Sequence, residues 1–340
     1  MCTVIRLVAL AICLGCLTSA AASSLVGENA HNLILFYSGK SRPMRITPAV
    51  AAAYLTNPTC ESETLFDAVL FTEIKSPSGA YYWPGPERRG TTQDEWRDFA
   101  DSLFAPGFNI PALESAAGKK FEMPLNRSAK KISVYISIPV PDSRLRDWGS
   151  IDGKRLDLSS DKDRIAAVMW YVSEIDRRWK SLSPKAITLA GYYWNAESVD
   201  DAAKIMPIIG RTLAARKLSF VWIPFWQSHR IPINNLGFSE IYIQPNYYEY
   251  DVPVTRISDA VQMASRYDFG IELEFDDGVL KDPMKRKKLT DTLNELRQIN
   301  KAPAIAVYDG AGAFVRLVGS KNPEVDEVKN KLINFLCRTR

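Results

Sequence analysis

Short runs rich in β-branched and aromatic residues recur along the chain, and eight of them have the length and patterning of strands. They are Asn32–Ser38, Phe66–Glu73, Lys131–Pro139, Ala186–Tyr193, Ser219–Phe225, Glu240–Asn246, Phe269–Phe275 and Ala304–Tyr308. Between most of these runs, apolar residues repeat at helical spacing. This spacing predicts helices over Asp161–Lys180, Val199–Lys217, Thr255–Tyr267, Pro283–Asn300 and Pro323–Cys337.

Strands that alternate with helices favour an α/β fold with a closed parallel sheet, the single-domain (β/α)8 or TIM barrel, here over residues 23–340. A doubly wound open sheet is the alternative, but no Gly-x-Gly-x-x-Gly turn follows the first strand. The short gap around Ile231–Gly237 predicts a missing or irregular helix between strands five and six. The long segment Lys75–Lys130 predicts an elaborated loop after strand two, with a capping box at Thr92–Glu95.

The first residues have the pattern of an export signal. Arg6 precedes an apolar run, Leu7–Leu17, and Ala20-x-Ala22 suits signal peptidase, which predicts a signal peptide over residues 1–22. Lipid attachment at Cys16 is the weaker alternative. We therefore expect an exported protein (periplasmic, secreted or at the cell surface), and no later segment is long and apolar enough to cross a membrane.

Composition limits the partners more than it identifies them. Hydrophobic residues make up 46% of the chain, enough for a large core, and a net charge of +4 is too small to argue for nucleic acid. The basic run Lys285–Lys288 is interpreted as the solvated face of a helix. Loss of the signal leaves Cys60 and Cys337, which either pair in an oxidising compartment or remain two separate thiols.

The stretch GIELEFDD, residues 270–277, carries Glu272, Glu274 and Asp276 on one face of a predicted strand. A barrel covers every strand on both faces, and a buried carboxylate costs several kcal/mol unless it is paired or used. Polar residues of the inward parity recur on two other strands, namely Ser133, Tyr135 and Ser137 on strand three and Gln244 and Asn246 on strand six. We expect these side chains to line a wet mouth at the C-terminal strand ends, where barrels place their sites.

A second acid, Glu197, lies in the loop directly after strand four, on the opposite side of the mouth from Glu274. Two carboxylates facing a common centre suit glycoside hydrolysis, with Glu197 as acid/base and Glu274 as nucleophile. Glu272 and Asp276 would tune pKa values or bind sugar hydroxyls. Asp276 precedes Asp277 and Gly278, so a turn or a calcium ion explains it equally well.

Aromatic and amide side chains concentrate after the same strand ends, where flat rings with polar edges would stack on sugars. The predicted substrate-binding residues are Tyr37, Tyr135, Tyr193, Trp194, Asn195, Trp222, Trp226, Gln244, Asn246, Tyr248, Glu272 and Asp276. With His31 and His229 as its two histidines, the chain predicts no histidine metal centre, no Ser-His-Asp triad and no cofactor. Asp309 is better explained by a turn than by a site.

With these residues, the chain resembles the retaining glycoside hydrolases built on (β/α)8 barrels, whose acid/base follows strand four and whose nucleophile ends strand seven. Through GYYWNAE and GIELEFDD it also resembles an exported bacterial barrel family catalogued as a domain of unknown function. The chain departs from the hydrolases at one point, because Ala196 separates Asn195 from Glu197, whereas those enzymes have Asn directly before the acid.

The sequence therefore predicts an exported glycosidase that acts on a polysaccharide or glycoconjugate, with a retaining mechanism favoured. The alternatives are a non-catalytic glycan-binding barrel and an envelope-associated scaffold without a deep acidic pocket. The sugar, its linkage, endo or exo action and the oligomeric state are left open.

Overall fold

The computed structural model describes residues 32–39, 45–56, 64–121, 131–199, 201–226, 228, 235–298 and 304–338. The predicted signal peptide, Cys60, His31, His229 and the segment 231–234 lie outside these residues. Among the described residues, no helix is long and apolar enough to cross a membrane.

Eight parallel strands close into a barrel, which confirms the predicted (β/α)8 architecture. In order around the barrel they are β1 (Asn32–Tyr37), β2 (Ala68–Thr72), β3 (Ile132–Ile138), β6 (Ile187–Trp194), β7 (Ser219–Trp222), β8 (Glu240–Ile243), β9 (Gly270–Glu274) and β10 (Ile305–Tyr308). β10 pairs in parallel with β1 and closes the ring. All eight predicted strands are therefore present.

Helices cover the outside of the barrel. They are α1 (Pro48–Leu55), α2 (Gln93–Leu103), α3 (Asn109–Phe121), α4 (Asp161–Leu182), α5 (Met206–Ala215), α6 (Thr255–Tyr267), α7 (Gly278–Lys281), α8 (Pro283–Arg297), α9 (Ala313–Val318) and α10 (Asp326–Arg338), with a 3-10 turn over Pro323–Val325. The elaborated loop after β2 contains α2 and α3. Thr92 caps α2 as predicted, and its backbone N–H donates to Glu95 Oε2 at 2.8 Å.

Two local predictions differ from the structure. The helix predicted from Val199 begins at Met206, because Pro207 lacks an N–H and favours the first turn of a helix, while the preceding residues form turns. A hairpin not predicted from the sequence, β4 (Gly149–Ile151) and β5 (Lys154–Leu156), lies between β3 and α4. Its turn is Asp152-Gly153, with φ of 51° and 78°, and Asp-Gly is the dipeptide that such tight turns favour.

Alternation along the strands divides the buried residues into two layers. One cluster packs between the barrel and the helices, and a smaller one fills the barrel interior. The interior cluster comprises Leu33, Leu35, Ala68, Leu70, Tyr135, Tyr193, Val221, Ile223, Tyr242, Ala304 and Ala306. Since Tyr135 and Tyr193 belong to the inner layer, Ser137 and Asn195, two residues further along, continue the inward parity at the strand ends.

Candidate active site

The C-terminal ends of β8 and β9 bring acidic and amide side chains together inside the barrel mouth. Glu272 and Glu274 are 4% and 5% exposed, on the inward parity that the sequence predicted. Asn246 Nδ2 donates to Glu274 Oε1 at 3.2 Å and to Gln244 Oε1 at 2.9 Å. Asn246 adopts a left-handed backbone at φ 51°, a conformation that Asn tolerates better than most residues, and the chain turns sharply here.

Burial and neighbouring charge keep protons on this pair of acids. Burial raises the pKa of Glu274 to about 8, helped by the negative charges of Glu249 and Glu197, while the hydrogen bonds from Asn246 oppose the rise. Burial also raises the pKa of Glu272 well above its usual value, and the charges of Glu274, Glu197 and Glu249 add to it. The interactions that shift the pKa of Glu272 include burial and neighbouring charges but no hydrogen bond like the one that Asn246 donates to Glu274. Because that hydrogen bond stabilises the charged form, Glu274 is the acid of the pair that ionises first.

Glu197 follows β6, and its backbone is held on two sides. The Phe225 N–H donates to the Glu197 carbonyl at 3.3 Å, and Trp222 Nε1 donates to the neighbouring Ala196 carbonyl at 2.7 Å. Burial raises the pKa of the Glu197 carboxyl, a hydrogen bond with Gln244 lowers it, and the charge of Glu249 raises it. Through Gln244 and Asn246, the side chains of Glu197 and Glu274 belong to one hydrogen-bonded network.

Glu249 is a fourth acid of this site that sequence reasoning missed. It lies in the loop after β8, and its charge raises the pKa values of Glu197, Glu272 and Glu274. Its own pKa is raised by partial burial, lowered by Lys285 and raised by Asp276. The run Tyr247-Tyr-Glu-Tyr250, an acid between tyrosines after a strand end, was the available signal.

Tyr37 and Tyr193 complete the mouth. Burial raises the pKa of both phenols well above the usual value, and the charges of Glu272 and Glu197 contribute to both rises. The Tyr37 ring meets the Tyr308 ring edge-on, with centroids 5.8 Å apart. Both predicted tyrosines therefore lie beside the carboxylates. Ser137, at the end of β3, is fully buried with its Oγ lacking a hydrogen-bond partner.

Other predicted site residues lie elsewhere in the barrel. Tyr135 points towards the N-terminal layer, where its hydroxyl donates to Glu240 Oε1 at 3.1 Å. Trp194 and Trp222 belong to the outer layer and are fully buried, with Trp222 stacked on Phe238 at 5.0 Å. Their positions follow from parity, because each neighbours an inward residue along its strand.

The remaining predicted residues lie at the rim with partners of their own. Asn195 accepts from Thr72 Oγ1 and donates to the Glu73 carbonyl, both at 2.9 Å, so its amide links the ends of β6 and β2. Asp276 accepts from the Gly278 N–H at 2.7 Å and from the Tyr248 hydroxyl at 2.8 Å, which supports its interpretation as a turn residue. The backbone N–H of half-buried Trp226 donates to Asn246 Oδ1 at 2.9 Å, so this residue contacts the hydrogen-bonded network of Glu274.

Three further sequence interpretations can be compared with the structure. Asp309 forms a turn as predicted, with its carboxylate accepting from the Gly312 and Phe314 N–H groups. Cys337 is disulfide-bonded, whereas Cys60 lies outside the described part of the chain. Within that part, no group of three or more His, Cys, Asp or Glu side chains could hold a metal ion.

A closed (β/α)8 barrel with carboxylates converging at the C-terminal mouth is the class that this fold and site define. The chain belongs to the family described as domain of unknown function DUF4855, whose model matches residues 32–334. None of the curated proteins matches the sequence.

Several solved structures align with most of this chain at low sequence identity. The chitinase ChiB of Flavobacterium johnsoniae aligns with a TM-score of 0.45 at 11% identity, over 90% of this chain and 94% of that one. A β-1,4-mannanase aligns with a TM-score of 0.45 at 8% identity, over 90% of this chain and 99% of that one. The malate synthase of Haloferax volcanii aligns with a TM-score of 0.44 at 8% identity, over 90% of this chain and 70% of that one. Likeness at this level concerns architecture, so the activity must be argued from the side chains.

Proposed function

We propose that this protein is an exported glycoside hydrolase that cleaves a polysaccharide or glycoconjugate with the carboxyl pair Glu197 and Glu274. The observation that carries the proposal is their shared network: half-buried Glu197 and buried Glu274 are linked through Gln244 and Asn246, and the charge of Glu197 raises the pKa of Glu274. Glycoside hydrolysis needs one protonated and one ionised carboxyl across a sugar ring.

The environments of the acids suit different roles. Glu197 has a raised pKa and would hold the proton that the leaving oxygen requires. Glu274 would supply the nucleophile once it has lost its proton, because the hydrogen bond from Asn246 stabilises its ionised form.

A retaining reaction proceeds in two balanced steps. A Glu274 oxygen attacks the anomeric carbon, the glycosidic C–O bond breaks, and Glu197 transfers its proton to the leaving oxygen. Water then attacks the same carbon, Glu197 accepts a proton from it, and the bond to Glu274 breaks. Proton NMR of the first-formed product distinguishes the outcomes, since retention keeps the anomeric configuration and inversion reverses it.

Glu274→Gln is the decisive variant, because it keeps the shape of the side chain and removes the nucleophile. The test is reducing-end release from soluble β-glucan, galactomannan, arabinoxylan and glycol chitin, with exposed Glu324→Gln as the matched control. We expect hydrolysis to fall by at least about a thousandfold in Glu274→Gln, with folding and glycan binding retained. Full activity in Glu274→Gln would remove this residue from the chemistry.

The second candidate function is a glycan-binding barrel without catalysis. Asn195 favours it, because its amide is committed to Thr72 and Glu73, whereas the hydrolases that the sequence resembles use an Asn beside the acid to hold substrate. Binding of one of these polysaccharides without release of reducing ends by the wild type would support this function over the first.

Export is part of the proposal. It is supported by the signal-like pattern of residues 1–22 and by the disulfide at Cys337, a bond typical of oxidising compartments. Expression of the full chain in a bacterium should yield a mature protein whose N-terminus follows Ala22. An unprocessed chain retained in the cytosol would contradict export and leave the catalytic proposal standing.

A further inference from the structure

Two aromatic rings, one exposed and one half-buried, lie next to the loop that carries Glu197 at the barrel mouth. We call Phe225 and Tyr250 the aromatic ledge; their ring centroids are 6.1 Å apart and their planes cross at 73°. Tyr250 is 49% exposed, although a large aromatic side chain that packs in a core is normally covered. Phe225 beneath it is half-buried.

The ledge is connected to both proposed catalytic acids by hydrogen bonds. The Phe225 N–H donates to the Glu197 carbonyl at 3.3 Å. The next residue, Trp226, donates its N–H to Asn246 Oδ1, and Asn246 in turn donates to Glu274. The ledge therefore adjoins both the loop that carries Glu197 and the hydrogen-bonded network that holds Glu274.

The ledge is also held from behind. Lys288 of α8 donates from Nζ to the Tyr250 carbonyl at 2.6 Å and to the Tyr247 carbonyl at 3.0 Å. Fixing the backbone of this loop before binding reduces the conformational freedom that a ligand would have to remove. An exposed aromatic surface next to a polar site is typical of ligand binding.

We propose that the aromatic ledge stacks a sugar ring on the leaving-group side of the cleaved bond. This step rests on the proposed function, because a general acid lies beside the leaving oxygen and the ledge is attached to the backbone of Glu197. The substrate is then a chain with at least one sugar on the leaving-group side of the cleaved bond. This excludes an enzyme that recognises only the terminal sugar that it releases.

The test compares Tyr250→Ala with Tyr250→Phe and with Tyr267→Ala. Tyr267 is 42% exposed and stacks on Phe269 at the end of α6, beside the N-terminal end of β9, so it matches the loss of an exposed ring away from the mouth. We expect Tyr250→Ala to lower kcat/KM on the polysaccharide substrate roughly tenfold, about 1.4 kcal/mol. Tyr267→Ala should match the wild type, and Tyr250→Phe, which keeps the ring, should lose much less activity than Tyr250→Ala.

A glycosyl fluoride of the same sugar tests whether the effect arises on the leaving-group side, because its leaving group is fluoride and no sugar contacts the ledge. We expect the loss of activity in Tyr250→Ala to be much smaller on the fluoride than on the polysaccharide. Equal activity of Tyr250→Ala and Tyr267→Ala on the polysaccharide would overturn the ledge while leaving the glycosidase intact. An equal loss on the fluoride and the polysaccharide would also overturn it, since the defect would then lie at the acids.

Binding separates the ledge from the chemistry. In gels that contain each of the four polysaccharides, Glu274→Gln should be retarded by one of them, and adding Tyr250→Ala should abolish the retardation. Ring-dependent retardation without any hydrolysis by the wild type would support a sugar-stacking ledge and refute catalysis. Neither retardation nor hydrolysis with any of the four would refute both.

Discussion

At the scale of single residues, the site is defined by an excess of negative charge. Within the described residues, no Lys or Arg forms an ion pair with Glu197, Glu272 or Glu274. The nearby Lys285 lowers the pKa of the fourth acid, Glu249. Like charges at close range in a buried site cannot all ionise together. The cluster therefore holds protons at neutral pH, and this has a consequence for stability that does not depend on the proposed activity.

We predict that the protein loses stability as the pH rises from about 5 to about 8. The pKa of Glu274 is about 8 in the folded chain, whereas the ordinary value of 4.5 applies to the unfolded chain. Between these two pH values, the folded state therefore binds more protons than the unfolded state. The free energy of unfolding then falls with pH, by on the order of a few kcal/mol for a shift of this size, and levels off above the folded pKa. Urea unfolding at a series of pH values measures it.

Two variants identify the source of this slope. Glu274→Gln should make the slope shallower, because one of the titrating groups is gone. Glu249→Gln should narrow the pH range over which stability falls, because removal of a nearby charge lowers the pKa of Glu274. Glu324→Gln, with the side chain exposed, should reproduce the wild-type slope. A wild-type protein that gains stability up to pH 9 would show that Glu274 is already ionised in the folded state.

How far single residues can be read from the sequence depends on where they lie. Alternation along β9 predicted that Glu272 and Glu274 point inward, and the same rule, applied to β6 and β7, would have placed Trp194 and Trp222 against the helices. The prediction instead grouped these rings by nearness to strand ends. Glu249 lies beyond the last strand residue, where no periodicity applies, so its position between tyrosines was the sequence signal and the folded loop shows its place beside the other acids.

At the scale of elements, α8 does more than the basic run in its first half suggested. The interpretation of Lys285–Lys288 as a solvated face is incomplete, because two of these lysines bind the loop after β8. Lys285 donates to the Tyr248 carbonyl at 2.9 Å and lies 4.3 Å from its ring centroid, and Lys288 binds the Tyr247 and Tyr250 carbonyls. A helical pattern predicts where α8 begins, but tertiary contacts decide which loop its charges meet.

We predict that Lys288→Ala loosens this loop without unfolding the barrel. The change removes two hydrogen bonds to backbone carbonyls that water can partly replace, so the free energy of unfolding should fall by only about 1 kcal/mol. Amide hydrogen exchange at residues 247–252 should accelerate, and KM for the polysaccharide should rise more than kcat falls, because Glu249 and Tyr250 lose their fixed positions.

Lys331→Ala is the control, since Lys331 pairs with Glu327 on the surface of α10, another helix of the outer layer. It should leave exchange in the loop unchanged. If Lys288→Ala changes neither exchange nor KM, the loop is ordered by its other contacts and α8 has no part in holding the site.

At the scale of the whole molecule, the candidate site and the contacts that secure the closed ring of strands lie at opposite ends of the barrel. The number of strands predicted the closed ring, and the pairing of β10 with β1 confirms it. The sequence could not indicate what secures this closure, because the partners lie at opposite ends of the chain. Asn32, at the start of β1, donates from Nδ2 to the Leu65 carbonyl at 3.0 Å and to the Leu336 carbonyl of α10 at 2.8 Å.

We predict that Asn32→Ala destabilises the protein while leaving the native site unchanged. Asn32 is fully buried, and its loss leaves two buried carbonyl groups without these donors, which costs about 2–4 kcal/mol in total. Thermal unfolding should shift down by several degrees. Below that transition kcat and KM should equal those of the wild type, because the contact lies at the N-terminal end of the barrel, opposite the mouth.

Asn294→Ala, at an exposed position of α8, should change neither quantity and controls for loss of an amide. An Asn32→Ala protein with unchanged thermal unfolding but impaired hydrolysis would contradict this division of the barrel. The two ends therefore affect stability differently: Glu274 at the mouth opposes folding at high pH, whereas Asn32 at the opposite end supports folding through two buried hydrogen bonds.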